Sequence, residues 1–129
     1  MVSCQPSVLR VLVVDDHELT RFSLKIALQT QSGIELVGLA SNGQEAVQLA
    51  KQSHPHVVIL DLQMPIMDGA SASKQLKKLD SRVKIIGYSS VQMPYLEGLM
   101  KKAELDAFCD KSTCTPDLVN LAWQLVARD

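Results

Sequence analysis

The chain has 129 residues, of which 47% are hydrophobic and 21% charged, with a formal net charge of −1. That is the size of one domain with a core of its own, and so even a balance of charge gives no basic patch for nucleic acid. No apolar run approaches the ~20 residues that span a bilayer, and residues 1–10 lack the charged start and apolar stretch of a signal peptide.

Short apolar, β-branched runs alternate along the chain with helix-like stretches. Residues 8–14 form the first strand and 18–30 the first helix. Residues 35–40 are the second strand. The helix over 42–52 has Asn42 as N-cap and Glu45 three residues on, a capping-box-like pair. Residues 57–60 form a third strand, 70–79 a third helix and 83–88 a fourth strand. The fourth helix covers 94–105, with Pro94 in its first turn, and 107–109 is a weaker fifth strand. The last helix covers 115–128: Thr115 caps it, Pro116 takes the first helical position, and Leu118, Leu121, Ala122 and Leu125 line one face. Strands that are apolar on both faces fit a parallel sheet covered by helices on both sides. Right-handed crossovers then give an α/β fold, a (βα)5 doubly wound five-stranded parallel sheet, with residues 1–129 as a single domain.

In such sheets function gathers beyond the carboxyl ends of the strands. The first strand runs into Asp15-Asp16, the third into Asp61, the fourth into Ser89-Ser90 and the fifth into Asp110-Lys111. Parallel strands bring these ends to one edge, so three carboxylates, a hydroxyl and an ammonium surround one crevice. Carboxylates crowded together repel one another and call for a cation. Oxygen ligands select a hard ion, and Mg²⁺ uses one or two carboxylates and keeps several waters. Neutralised in this way, Asp61 can act as a nucleophile towards phosphorus. Mg²⁺ on one side and Lys111 on the other supply the positive charge that a transferring phosphoryl group needs, and Ser89 supplies a hydroxyl donor.

Four stretches together resemble the receiver domain of two-component response regulators: residues 12–17 (LVVDDH), 58–69 (VILDLQMPIMDG), 89–90 (SS) and 108–111 (FCDK). The resemblance covers residues 8–128, and the Asp-Asp-His opening is similar to the NarL/FixJ-like subgroup, which usually carries a helix-turn-helix output domain. It implies the flavodoxin-like receiver fold. It implies Asp61 as the phosphoacceptor, Asp15 and Asp16 as the Mg²⁺-holding pair with the Gln63 backbone carbonyl as a further ligand, and Lys111 as the phosphate-contacting lysine. It implies Ser89 as the switch hydroxyl and Phe108 as the switch aromatic. The phosphodonor it implies is a sensor histidine kinase or a phosphotransfer protein, and the chain would catalyse only its own phosphorylation and dephosphorylation. Ser112 stands where many receivers have proline, which opposes a cis bond there at a cost of about 3–4 kcal/mol. His56 stands where an aspartate often precedes the third strand.

Taken singly, these residues also have plainer readings. Asp15 and Asp16 alone are turn or capping residues, Lys111 a surface lysine and Phe108 a core aromatic. His17 reads as a polar rim residue at a helix start, and His54 and His56, which flank Pro55, as solvated loop residues. Cys4, Cys109 and Cys114 are odd in number and form no C-x-x-C pair, which fits reduced thiols in a cytoplasmic protein, with Cys109 buried in the last strand. Two rival functions are a phosphatase acting on external substrates, which the lack of a lid opposes, and a phosphorylation-independent interaction module, which the filled stations oppose. The partner surface is expected on the fourth and fifth helices, at Tyr95, Leu99, Val119 and Trp123, with a homodimer formed on phosphorylation. Residues 1–129 fit both a stand-alone receiver and part of a longer DNA-binding regulator.

Overall fold

The computed structural model describes residues 6–62, 69–89 and 104–127. Five parallel strands form the sheet: β1 (Leu9–Val14), β2 (Ile34–Ala40), β3 (Val57–Asp61), β4 (Lys84–Ser89) and β5 (Ala107–Asp110), in the order β2-β1-β3-β4-β5. The described helices are α1 (Glu18–Gln29), α2 (Gly43–Ser53), α3 (Gly69–Leu79) and α4 (Thr115–Ala127). The expected doubly wound sheet is therefore present. The helix expected over 94–105 falls almost wholly outside the described residues. Its last two positions are not helical, and Glu104 has a left-handed φ of 57°.

Alternation along the strands builds two cores. Val11, Val13 and Ile59 face α1 and α4, against Leu24, Leu28, Leu118 and Ala122. Leu12, Val14, Val58 and Leu60 face α2 and α3, against Ala46, Ala50, Ala72 and Leu76. Successive strand residues point to opposite faces, so a strand buried on both must be apolar throughout. β3 meets this condition up to its terminal Asp61 and β1 at all but Arg10, because helices cover both faces of these strands. Two glycines set how closely the layers approach. A Cβ on Gly38 would lie 3.1 Å from Leu12 and 3.2 Å from Leu49, and one on Gly87 only 2.6 Å from Leu105.

The helix ends refine the sequence reading. Asn42 caps α2, its side chain accepting from Glu45 N–H at 2.9 Å. The Glu45 carboxylate reaches one residue further back than a capping box requires, to Ser41 N–H at 3.3 Å and Ser41 Oγ at 3.2 Å. The last helix begins one residue early. Leu118 N–H donates to Cys114 O at 3.1 Å, which makes Cys114 the cap and moves Pro116 to the second helical position, where no partner for its nitrogen is needed. Val119 turns into the core at 8% exposure, so it is not on the helix edge where a partner surface was expected. Trp123 is half-buried, within packing distance of Gly33.

Candidate functional site

The strand order reverses at β1, because β2 lies on one side of it and β3 on the other. The carboxyl ends of β1 and β3 therefore open onto the crevice where the two βα connections part to opposite faces. Asp15 follows β1 and Asp61 ends β3, and both are fully buried. Asp15 N–H donates to Ala40 O at 3.0 Å and Leu62 N–H to Tyr88 O at 3.1 Å, so sheet bonding fixes the backbone on either side of the crevice. The fourth strand ends in Ser89, also fully buried, in register with Asp110 of β5. Lys111 N–H donates to Ser89 O at 3.0 Å, which turns the lysine back over the sheet edge.

The result is one charged cluster. Lys111 Nζ lies 3.0 Å from Asp15 Oδ2 and 3.5 Å from Asp61 Oδ2. The exposed His17 ring places Nδ1 3.0 Å from both Asp15 Oδ1 and Asp16 Oδ1, and 3.8 Å from Asp61 Oδ2. Burial pushes the Asp15 carboxyl up, but the His17 backbone N–H and the Lys111 ammonium outweigh it and leave the group below its ordinary value. Asp15 Oδ2, 3.0 Å from Lys111 Nζ, and Asp16 Oδ1, 3.0 Å from His17 Nδ1, are buried without completing a hydrogen bond among the described residues. Ligand atoms of Asp15, Asp16, His17 and Asp61 lie within 4.8 Å of one another. Such a set of carboxylate oxygens fits a hard divalent cation, for which open coordination positions matter more than hydrogen bonds.

The expected stations Asp15, Asp16, Asp61, Ser89 and Lys111 thus meet at one edge. Phe108 is half-buried in β5, in register with Gly87, and Cys109 is buried as expected. The Lys111–Ser112 bond is trans, as no cis peptide occurs among the described residues. Gln63, Tyr95 and Leu99 lie outside them. Three contacts escape the sequence reading. The rim reading of His17 holds for its exposure, yet its ring touches both carboxylates of the pair. Arg21 Nη1 donates to Asp15 O at 2.7 Å and braces the strand end from α1. Tyr88 lies beneath Lys111, with its ring centroid 5.1 Å from Nζ. Burial, reinforced by Asp15 and Asp61, pushes its phenol up to about 12. The available signal for Tyr88 was its place at the end of the fourth strand, one residue before Ser89.

Residues 11–122 match the model of the response regulator receiver domain. The chain belongs to that family. Over 82 residues it is 45% identical to the transcriptional regulatory protein LiaR of Bacillus subtilis, covering 64% of this chain and 39% of LiaR. It is 35% identical over 116 residues to the response regulator protein VraR of Staphylococcus aureus, covering 87% of this chain and 54% of VraR. It thus spans about half or less of these curated relatives. The response regulator domain of Thermotoga maritima CheB superposes with a TM-score of 0.82 at 28% identity, covering 95% of this chain and 98% of that one. The chain is a receiver domain of two-component signalling, a class that works through phosphorylation of an aspartate.

Proposed function

We propose that Asp61 is the phosphoacceptor and that the crevice around it carries out the transfer. The observation that supports this most is the Lys111 ammonium shared between two fully buried carboxylates, 3.0 Å from Asp15 and 3.5 Å from Asp61. An Asp61 oxygen forms the new P–O bond as the P–N bond of a donor phosphohistidine breaks, and the donor ring, already protonated on its other nitrogen, takes the P–N electron pair and leaves as neutral imidazole. Asp15, Asp16 and Asp61 would hold Mg²⁺, with the Gln63 carbonyl implied as a further ligand. When bound, that ion neutralises the carboxylates and withdraws charge from the phosphoryl oxygens. Lys111 exchanges a carboxylate for a phosphoryl oxygen, while Tyr88 keeps its ammonium over the crevice. Ser89 turns its hydroxyl to the phosphoryl group, and Phe108 moves into the space it leaves.

The donor is a sensor histidine kinase or phosphotransfer protein, and the chain turns over no external substrate. The free thiols of Cys109 and Cys114 support a reducing, cytoplasmic setting. No described helix is long and apolar enough to cross a membrane. Likeness to LiaR supports transcription as the process controlled, with residues 1–129 acting as a single receiver unit and making no DNA contact of their own. Tyr95, Leu99 and Trp123 stay in the proposed partner surface, from which the burial of Val119 removes that residue.

Incubation with acetyl phosphate and Mg²⁺ tests the assignment by intact mass. The wild-type protein gains one phosphoryl group and Asp61→Asn gains none. Equal gain in the variant would move the phosphoacceptor elsewhere.

A further inference from the structure

Helix α1 has two apolar faces where a surface helix needs one. Leu24 and Leu28 are buried against the sheet. About half a turn away, Leu19, Phe22 and Ile26 follow one another at helical spacing, 77%, 54% and 50% exposed. These three are most of the exposed large hydrophobic residues among the described residues, and they lie in one row. A row of this kind marks a contact surface, whereas isolated exposed apolar groups do not.

The charges beside the row select what covers it. Glu18 and Lys25 lie on the same flank, one on either side of Phe22 along the helix, while the opposite flank carries the uncharged Ser23 and, at the cap, Thr30. Arg21 is engaged with the Asp15 carbonyl and does not join the flank. At a rise of ~1.5 Å per residue, Leu19 lies ~4.5 Å before Phe22 and Ile26 ~6 Å after it, while Glu18 lies ~6 Å before and Lys25 ~4.5 Å after. A two-fold axis at Phe22 therefore sets Leu19 against Ile26 of a second copy, and Glu18 against Lys25 of that copy. An antiparallel pair related in this way brings the same flank of both helices together, so both ion pairs form at once. A parallel pair would bring opposite flanks together and set Glu18 and Lys25 against the uncharged flank of the second helix, with no ion pair.

We propose that α1 docks antiparallel on α1 of a second copy of this chain, through Leu19, Phe22 and Ile26, with Glu18–Lys25 pairs across the two-fold axis. One helix row is a small interface, so the dimer is weak and depends on concentration. This inference is independent of which carboxylate is phosphorylated.

Charge reversal tests it by sedimentation velocity across a concentration series, with circular dichroism as the check on folding. Glu18→Lys and Lys25→Glu each replace two attractive pairs by two repulsive ones, and each alone weakens self-association about tenfold. Mixing the two single variants restores association to the wild-type level, because each then meets its complement, and so does the double variant E18K/K25E. Phe22→Asp places two carboxylates at the axis and removes association. Failure of the mixture to recover, or a Phe22→Asp protein that associates like wild type, overturns the proposal. So does a Phe22→Asp protein that loses phosphotransfer from a kinase with self-association unchanged, since the row then serves the kinase.

Discussion

The two ends of the sheet treat buried polar groups in opposite ways. At the amino ends of the strands every contact described is closed. Lys77 Nζ donates to Val83 O at 2.7 Å and to Asp106 Oδ2 at 2.8 Å, and the same oxygen accepts Ile85 N–H at 2.7 Å. On the other side of the sheet end, His56 Nδ1 accepts Arg10 N–H at 2.9 Å, and the Arg10 guanidinium donates to His54 O through Nε and Nη2. That last pair of bonds holds the left-handed His54, at φ 49°, where α2 ends. At the carboxyl ends, Asp15 and Asp61 share one lysine while Asp16 lies against the His17 ring, and the buried Asp15 Oδ2 and Asp16 Oδ1 complete no hydrogen bond among the described residues. One end is satisfied within the chain and gives stability. The other holds negative charge in excess, and in the proposed function that excess draws the cation which, with Lys111, offsets the charge of the phosphoryl group.

Removing one carboxylate from each end should therefore change stability in opposite directions. Asp106→Ala strands the Lys77 ammonium and the Ile85 N–H. Because Lys77 and Asp106 keep some contact with water, the expected loss is about 2–3 kcal/mol, below the cost of breaking a fully buried pair. Asp61→Asn relieves repulsion at the other end and should raise the stability of Mg²⁺-free protein by about 1 kcal/mol, a gain made at the expense of function. Chemical denaturation of both variants measures the contrast. A destabilised Asp61→Asn protein would show that the crevice is held together by its charges.

A second effect, smaller and confined to the carboxyl end, comes from the metal. If the proposed site holds Mg²⁺ in the folded state, wild-type protein should become more stable as Mg²⁺ is added, by about 1–2 kcal/mol at concentrations tenfold or more above its dissociation constant. Asp16→Ala should lose most of that increment while Asp106→Ala retains it. Thermal midpoints across a Mg²⁺ titration decide the point, and an equal increment in Asp16→Ala would remove that residue from the cation site.

The difference between the ends also explains what the sequence revealed. The carboxyl-end residues were legible because parallel strands all finish at the same edge, so Asp15, Asp61, Ser89 and Lys111 could be brought together from strand order alone. His56 was not. Beside Pro55 it reads as a loop residue, and its role depends on Arg10, 46 positions away in sequence, whose N–H it accepts. Lys77 and Asp106 were invisible for the same reason: nothing local to either identifies a partner 29 residues off. Val119 was misplaced for a different reason. On a helix that packs against both the sheet and α1, the apolar stripe is wider than one row of side chains, and periodicity alone does not fix its edge. The exposed row on α1 is conversely plain in the structure and hidden in the sequence, where Leu19, Phe22 and Ile26 blend with Leu24 and Leu28 into one hydrophobic helix.

The smallest effect expected is a pH dependence at the closed end. Burial, and then the nearby Arg10 charge, hold the His56 imidazole below its ordinary value of 6.5, with Asp80 opposing in part. The geometry agrees in sign, since Nδ1 must be unprotonated to accept the Arg10 N–H. A depressed histidine binds its proton more readily in the unfolded chain, so its share of stability is fully present above about pH 6.5 and falls as pH drops from there towards the folded value. His56→Gln can keep an acceptor near Arg10 N–H and cannot titrate. It should remove this slope while changing stability little above neutrality. Denaturation midpoints at about pH 7.5 and about pH 5.5 measure the difference, and a histidine NMR titration locates the group directly. An identical slope in wild type and His56→Gln would show that the acid sensitivity comes from the charged end, leaving the Arg10–His56 contact as structure alone.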